Sequence, residues 1–401
     1  MPLTARSALA LLLLVWIRQS YGIERSDLIL LVLGTGGIVL VTVSTLAVVV
    51  AAALMRLKKP PAPQEPWVFL TGVPFRTGFD VGWEGWLPLV RLELSWVRPH
   101  DVVAELVPER GRLVEVVRAQ RRAVAEEIVR RWTISDTFGL ARITFDRTAT
   151  QALKIMPCAS RLRPQELLHQ MSSGDLVSHP GGEPEGDLIE TRPYAHGDPL
   201  NRVLWKAFAR TRRLLVRLPE RAIAPRQKTL AYLVSSPGDE PAAGTARAAL
   251  EQGVFGVDFL FCADGEQAPT REVPEAIEQI VRSAGSAARG GGLGGFIAQG
   301  QAQGSRSCVV FAPARPGPWI EAVEAQIRAH RGQVSVVLTV DGFGGQRSPL
   351  WRRLLVVEDR SHGEVIKELR AVWDRLVKAG APVTVIDRSS GGAIHPSAMR
   401  G

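Results

Sequence analysis

The residues best suited to contact charged groups of another molecule are concentrated in the stretch Gly186–Lys228. It contains ten Lys or Arg against four Asp or Glu, a surplus of six in a chain whose net charge is +9. Aromatic side chains such as Trp205 and Phe208 are interspersed with the basic ones, which is unusual for a purely solvated charged face. The residue types predict a turn at Gly197–Asp198–Pro199, then a short amphipathic segment capped by Asp198, then a strand. The arginines are therefore expected at a surface or an interface.

A set of residues at fixed spacing within this stretch points to a family. The set consists of Arg192, Tyr194, Gly197, Asp198, Arg202, Trp205, Lys206, Ala209, Arg210, Leu215, Val216 and Arg217. It resembles the signature of the DUF58 family of membrane proteins. The resemblance implies an N-terminal membrane hairpin and a C-terminal domain that looks like a von Willebrand factor A domain. It also implies a protein partner, an AAA+ ATPase of the MoxR type.

Two kinds of binding could use the basic stretch. In the first, the chain is an adaptor whose arginines pair with carboxylates, either within the protein or on a partner protein, because the guanidinium group suits bidentate contact. In the second, the segment 192–228 binds a polyanion, either nucleic acid or anionic lipid, through phosphate contacts and aromatic stacking. A purely structural role is a further alternative, in which Arg192, Asp198, Arg202 and Trp205 brace the junction between two domains.

The resemblance also points to a metal-site position that this chain does not fill. Many von Willebrand factor A domains bind Mg²⁺ through a D-x-S-x-S motif after the first strand, since carboxylate and hydroxyl oxygens suit a hard cation. On this chain the motif places Val234 at the Asp position, Ser236 at the first Ser and Gly238 at the second. Valine has no ligating atom, and Ala312–Ala314 stand where a second Asp is expected. We therefore predict a degenerate site, with no metal and no cofactor.

Other patterns that could support catalysis are incomplete. The run Gly290–Gly300 lacks the G-K-[ST] of a phosphate-binding loop and is predicted to be a flexible loop. No G-x-S-x-G motif indicates a hydrolase nucleophile. The pair Glu126–Glu127 beside Arg130 and Arg131 is predicted to be an exposed charge cluster. The three cysteines form no C-x-x-C pair, so neither zinc nor a disulfide framework is indicated. We therefore predict a chain that is not an enzyme and takes no small-molecule substrate.

The elements that carry the basic stretch begin with an apolar N-terminus. Residues 28–55 contain no charged side chain and would form a helix about 42 Å long at ~1.5 Å per residue. This exceeds the roughly 30 Å hydrocarbon core of a bilayer, so the helix is predicted to span the membrane with tilt or protrusion. The earlier apolar run is either a first membrane helix over about residues 3–20 or the core of a signal peptide. The DUF58 resemblance favours the hairpin.

The charges around the long helix predict its orientation. Arg56, Lys58 and Lys59 follow it directly, whereas the preceding loop carries both signs. The positive-inside rule therefore places residues 56–401 in the cytoplasm, with the anchor in the inner membrane of a bacterium.

Beyond the anchor, the sequence predicts a mixed β and α/β architecture. Residues 60–66 form a proline-rich linker, and residues 67–160 show the period-two alternation of a small β-sandwich. After the signature segment 161–228, residues 229–388 alternate short apolar runs with amphipathic segments of helical length. This predicts a doubly wound parallel sheet with helices on both faces. The Gly- and Ser-rich tail, residues 389–401, is predicted to be disordered.

Overall fold

A computed structural model describes residues 4–57, 65–81, 90–109, 112–159, 176–178, 188–195, 203–219, 223–225, 228–256, 258–305, 307–341 and 360–394. The chain divides into two compact units, Met1–Met156 and Pro157–Gly401. Each unit has its own hydrophobic core. Residues 60–64 of the predicted linker 60–66 lie outside the described residues, as do Lys58 and Lys59 before it.

The first unit begins with a helical hairpin. Helix α1 (Ala5–Ile17) continues as one π-helical segment, Arg18–Ile23, and the chain then returns in helix α2 (Leu28–Leu57). The two helices approach closely because glycine lies between them: a β-carbon added to Gly37 would lie 2.7 Å from a methyl carbon of Leu14. Within the described residues, α2 is the one helix long and apolar enough to cross a membrane, with a mean hydropathy of 2.7.

In the described part of the first unit, seven strands follow the hairpin and form two sheets. They are β1 (Trp67–Leu70), β2 (Phe75–Asp80), β3 (Val90–Arg98), β4 (Val102–Glu109), β5 (Arg112–Ala119), β6 (Ala123–Asp136) and β7 (Arg142–Met156). One sheet has the order β1-β7-β6-β3 and the other the order β2-β5-β4. Neighbouring strands are antiparallel except β1 and β7, which are parallel. Alternating residues of these strands are buried, as their period-two pattern predicts.

The last turns of α2 are part of the core of this β domain. Val48, Ala51, Ala52 and Met55 are buried in one cluster with residues of several strands, among them Trp132. The same end of the helix is fixed by polar contacts. Arg147 Nη1 donates a hydrogen bond of 2.9 Å to the carbonyl oxygen of Met55, which satisfies a carbonyl that has no partner within the helix. About two-thirds of α2 therefore remain outside the β domain.

A buried ion pair lies inside the β domain, between Glu115 on β5 and Arg130 on β6. Glu115 is completely buried, and its carboxylate accepts hydrogen bonds from Arg130 Nε (2.9 Å) and Nη2 (2.8 Å). Thr77 Oγ1 and Trp96 Nε1 each donate a further bond of 2.6 Å to it. The Arg130 guanidinium also lies 5.0 Å from the ring centroid of Phe79. Every oxygen of the carboxylate is thus engaged, as a buried charge requires.

This pair corrects the prediction of an exposed charge cluster around Glu126–Glu127. Because successive residues of a strand point to opposite faces, Arg130 lies on the buried face of β6 and Arg131 on the exposed face. Arg131 pairs there with Asp146 at 2.8 Å, and that hydrogen bond lowers the pKa of Asp146. Only Arg131 therefore has the solvated setting that the sequence predicted for both arginines.

The second unit contains a parallel sheet and shorter elements before it. Its strands are β8 (Leu176–Ser178), β9 (Leu188–Pro193), β10 (Leu215–Pro219), β11 (Ile223–Pro225), β12 (Thr229–Leu233), β13 (Phe259–Ala263), β14 (Ser307–Pro313), β15 (Val334–Val340) and β16 (Val383–Asp387). Its helices are α3 (Trp205–Thr211), α4 (Glu240–Glu251), α5 (Val273–Arg282), α6 (Leu293–Ala302), α7 (Trp319–Ala329) and α8 (Arg360–Ala379). Strands β8 and β11 form a small antiparallel pair.

The five strands β12 to β16 confirm the predicted parallel sheet. Their order is β13-β12-β14-β15-β16 and all neighbours are parallel, which corresponds to the doubly wound order 2-1-3-4-5. Alternate residues of each strand enter different cores. Leu230 and Tyr232 pack in the cluster that includes residues of α6, α7 and α8, whereas Ala231 and Leu233 pack with α4 and α5. Helices therefore cover both faces of the sheet.

The structure corrects two predictions in this unit. The glycine-rich run predicted to be a loop contains helix α6, because Leu293, Phe296 and Ile297 follow helical spacing and are buried. Residues 389–394 of the predicted disordered tail are ordered, since Ile394 N donates a bond of 2.8 Å to Val385 O. Residues 395–401, and the strand that the sequence predicts over Leu354–Val357, lie outside the described residues.

Candidate interaction surface

The signature residues that the structure describes lie on a strand–helix–strand element. Strands β9 and β10 pair antiparallel, with Arg192 opposite Val216. Helix α3 lies between them in sequence, and Leu204 N, directly before it, donates a bond of 2.9 Å to Leu215 O. Val203 forms a bridge with Val216, and both side chains are buried. The predicted order of a short segment followed by a strand is therefore seen in α3 and β10, but the residue that caps α3 is Leu204 and not the predicted Asp198.

Helix α3 ends after two turns at a residue with left-handed backbone conformation. The chain turns at Arg212, which adopts a left-handed conformation with φ of 55°, and its N–H donates a bond of 2.9 Å to Phe208 O. This arrangement is a common helix end, although glycine usually occupies it. After the turn, Leu215 and Val216 return the chain into β10.

The solvent-facing side of α3 and the residues after it are basic and aromatic. Trp205 is 55% exposed, and its ring meets that of Phe208 edge to face with a centroid distance of 6.4 Å. Lys206, Arg210, Arg212 and Arg213 are exposed. We call Trp205 and these four cations the α3 surface. Among the residues that the structure describes, none of the four cations forms an ion pair.

The structure describes some of the remaining signature residues and not others. Arg192 and Arg217 occupy positions on β9 and β10, where Arg217 is opposite Thr191. Tyr194 is half-buried, and its backbone N–H donates a bond of 3.0 Å to Leu214 O. Gly197, Asp198 and Arg202, with the predicted turn, lie outside the described residues.

The degenerate metal position lies at the carboxyl end of β12. Val234 is completely buried in the apolar core, so its side chain offers packing and no ligand. Ser236 N donates a bond of 3.2 Å to Asp239 Oδ2. Gly238 has φ of +81°, and a β-carbon there would lie 3.1 Å from Cδ of Arg315. Within the described ranges no group of three His, Cys, Asp or Glu side chains is placed to hold a metal, so the residues present do not fit the Mg²⁺ site.

A buried carboxylate that the sequence reasoning missed organises this edge of the sheet. Asp264 directly follows β13 and is completely buried. Its Oδ1 accepts a bond of 2.5 Å from Tyr232 Oη, and its Oδ2 accepts bonds from Ser235 N (2.8 Å) and Gly290 N (2.7 Å). The carboxylate thus ties two loops to the sheet. An Asp immediately after an apolar strand was the one signal in the sequence that could have identified it.

Burial has the largest effect on the pKa of the Asp264 carboxylate. Burial raises the pKa of Asp264, and the hydrogen bonds from Tyr232, Ser235 and Gly290 act in the opposite direction. Burial and the nearby Asp264 also raise the pKa of Tyr232. With three protein donors on its two oxygens, Asp264 holds these loops in place.

The chain matches no family model, and it matches no curated protein.

Proposed function

We propose that this protein is a membrane-anchored interaction module of the DUF58 type that binds an acidic surface of a partner protein through the α3 surface. The observation that carries the proposal is a set of exposed cations, unpaired within the described part of the chain, beside the exposed ring of Trp205: Lys206, Arg210, Arg212 and Arg213. An arginine without an internal carboxylate is available for bidentate contact with one on a partner. Exposed tryptophan is a frequent energetic centre of protein interfaces.

The resemblance supplies the partner and the location. A MoxR-type AAA+ ATPase is the proposed partner, and assembly or maturation of other proteins the proposed process. Helix α2 has the length and hydropathy of a membrane anchor, and the basic residues after it favour a cytoplasmic location for residues 56–401 at a bacterial inner membrane. The parallel sheet covered on both faces supports a domain similar to von Willebrand factor A, used for binding and without catalysis.

Site-specific photo-crosslinking tests the proposed partner. A photoreactive phenylalanine analogue replaces Trp205 in the full chain in native membranes, with and without ATP. The expected result is an adduct in which mass spectrometry identifies a MoxR-type ATPase. The same analogue at Arg331, an exposed residue of the same unit with no ion pair among the described residues, is the control. Absence of the adduct at residue 205 in both conditions, or equal adducts at both positions, would contradict the proposed partner.

Polyanion binding is the second candidate function. It is favoured by the exposed Trp205 ring among four cations, an arrangement that suits base stacking with phosphate contacts. If all four cations contacted a single-stranded nucleic acid, the binding constant would fall with salt at a log–log slope of about −3. Retention of the detergent-solubilised full chain on heparin and single-stranded DNA over a salt series tests this. Salt-independent or absent retention rejects the polyanion function.

A further inference from the structure

The turn that joins β6 and β7 is held against the start of the membrane hairpin. Thr4 caps α1, since its Oγ1 accepts a bond of 3.2 Å from Ser7 N. The same residue donates to the turn: Thr4 N bonds Leu140 O at 3.2 Å, and Thr4 Oγ1 bonds Gly139 O at 3.1 Å. Thr4, at the start of the hairpin, and the β6–β7 turn therefore lie at the same height along the axis of the hairpin.

The packing of α1 against α2 fixes where that level falls on α2. A β-carbon on Gly37 would lie 2.7 Å from Leu14, and one on Gly34 would lie 2.9 Å from Arg18, so α1 and α2 run antiparallel with these pairs side by side. Ten residues back from Leu14 is Thr4, and ten residues on from Gly37 is Ala47. Because both segments are α-helical, Thr4 and Ala47 lie at about the same height.

This height coincides with a change in the surroundings of α2. From Val48 onward, one face of α2 packs into the β domain through Val48, Ala51, Ala52 and Met55, while Val49, Val50 and Leu54 on its other face stay exposed. The part before it, Leu28–Ala47, contains 20 residues and measures about 30 Å at ~1.5 Å per residue. That length matches the hydrocarbon core of a bilayer. The boundary between acyl chains and headgroups therefore falls beside the β6–β7 turn.

The turn has the composition of a segment that enters this boundary. Phe138 at its tip is 55% exposed, and residues 137–140 carry no charge. Its conformation is fixed, because Asp136 accepts bonds from Phe138 N (3.1 Å) and Ala141 N (2.6 Å). Arg6 in the first turn of α1 and Arg142 at the start of β7 are exposed and have no ion pair among the described residues. An aromatic ring flanked by cations suits the interface of an anionic bilayer.

We infer that the β6–β7 turn inserts Phe138 into the headgroup–acyl boundary of the bilayer that holds the hairpin, with Arg6 and Arg142 against lipid phosphates. Contact with the bilayer would thereby hold the β domain in place in addition to the packing of this domain against α2. This inference rests on the proposed membrane insertion of α2.

Three residues with the same exposure make a matched set of probes. Phe138 at the turn, Val39 in the apolar part of α2 and Val124 near the other end of β6 are each 55% exposed. Val124 is 12 residues from Asp136 along β6, about 40 Å at ~3.3 Å per residue. Each is changed singly to cysteine in a full-length Cys158→Ser background and labelled with an environment-sensitive fluorophore. The labelled chains are reconstituted in phosphatidylcholine–phosphatidylglycerol nanodiscs that contain lipids spin-labelled near the headgroup or deep in the acyl chain.

The expected result is loss of fluorescence at position 138 with the shallow spin label, loss at position 39 with the deep label, and unchanged fluorescence at position 124. A blue-shifted emission at 138, absent at 124, should accompany it. Quenching at 39 with a response at 138 equal to that at 124 overturns this inference and leaves the anchor in place. Absence of quenching at 39 overturns the anchor and the inference together.

Discussion

Replacing Glu115 by glutamine tests whether the buried pair with Arg130 holds the β domain together. The change keeps the shape of the side chain and removes its charge. It leaves the Arg130 guanidinium, whose side chain is 5% exposed, without a counter-charge. It also turns one acceptor oxygen, which now receives bonds from Thr77 and Arg130 Nη2, into an amide nitrogen that cannot accept.

The loss of stability expected for Glu115→Gln can be estimated from the burial of the ion pair. Removing one partner of a buried ion pair costs about 3–5 kcal/mol, against a total stability of roughly 5–15 kcal/mol for a domain. The guanidinium cannot easily escape to solvent, because it lies between aromatic rings, 5.0 Å from the Phe79 centroid and 5.5 Å from that of Trp96. At about 1.4 kcal/mol per factor of ten, protection against hydrogen exchange in the core strands should fall by roughly 10²–10⁴-fold.

Hydrogen–deuterium exchange with mass spectrometry measures this locally, which matters because a chain of two units need not unfold in one step. Peptides from β5 and β6 of the full chain in detergent report the loss. Asp146→Asn is the matched control: its partner Arg131 is the next residue along β6 and forms the same two-armed contact, but both side chains are solvent-exposed. We expect little change there, since exposed pairs contribute little.

A second substitution should rescue the Glu115→Gln variant. Combining Glu115→Gln with Arg130→Met removes the unpaired charge, while the amide oxygen of the introduced glutamine can still accept from Trp96. The double variant should therefore recover much of the protection. Equal exchange in wild type and Glu115→Gln, or equal losses in Glu115→Gln and Asp146→Asn, would refute the account of this core.

Three further predictions concern the second unit. Burial raises the pKa of Asp264, so the folded state binds more protons than the unfolded state at pH values between the ordinary and the raised pKa. Unfolding titrations should therefore show that the wild-type chain loses stability relative to Asp264→Asn as the pH rises through this range. A gain in stability would contradict this prediction. Burial raises the pKa of Cys308 to about 12 and that of Cys262 to about 11. A maleimide should therefore label only the half-buried Cys158 in the native chain at neutral pH. Comparable labelling of all three cysteines would be contrary to the structure. Gly300→Val should destabilise α6, because a β-carbon at this position would lie 2.4 Å from the methyl carbons of Leu230 in β12. The loss should be measured as faster hydrogen exchange in the peptides of α6. Unchanged exchange would show that the helix does not pack so closely against the sheet.

Local patterns predicted the elements well where one segment carries its own signal. Residues 319–329 follow a proline and repeat apolar residues at helical spacing, and α7 has those bounds. Leu89–Val97 alternates with period two, and β3 covers it from Val90. In the glycine-rich run, local propensity and tertiary packing disagree. The burial of Phe296 and Ile297 outweighs the low helix propensity of the glycines around them.

Contacts between distant residues could not be predicted from a single sequence. Asp264 meets Ser235 and Gly290, which are 29 and 26 residues away, and Glu115 meets Arg130 across 15 residues. No local pattern records such pairs, because they depend on which strands become neighbours. The basic character of the α3 surface was visible in composition, but the absence of carboxylate partners for its cations among the described residues required the structure.

Binding of a purified MoxR-type ATPase from the source organism to the full chain in nanodiscs tests the central claim most directly. The informative variant reverses two charges of the α3 surface, Lys206→Glu with Arg210→Glu. The control, Arg331→Glu with Lys378→Glu, reverses one exposed arginine and one exposed lysine elsewhere in the unit, neither of which has an ion pair in the described ranges. We expect saturable binding that the first variant loses and the control keeps. Equal affinity of both variants, or no binding by the wild-type chain with or without ATP, would contradict it.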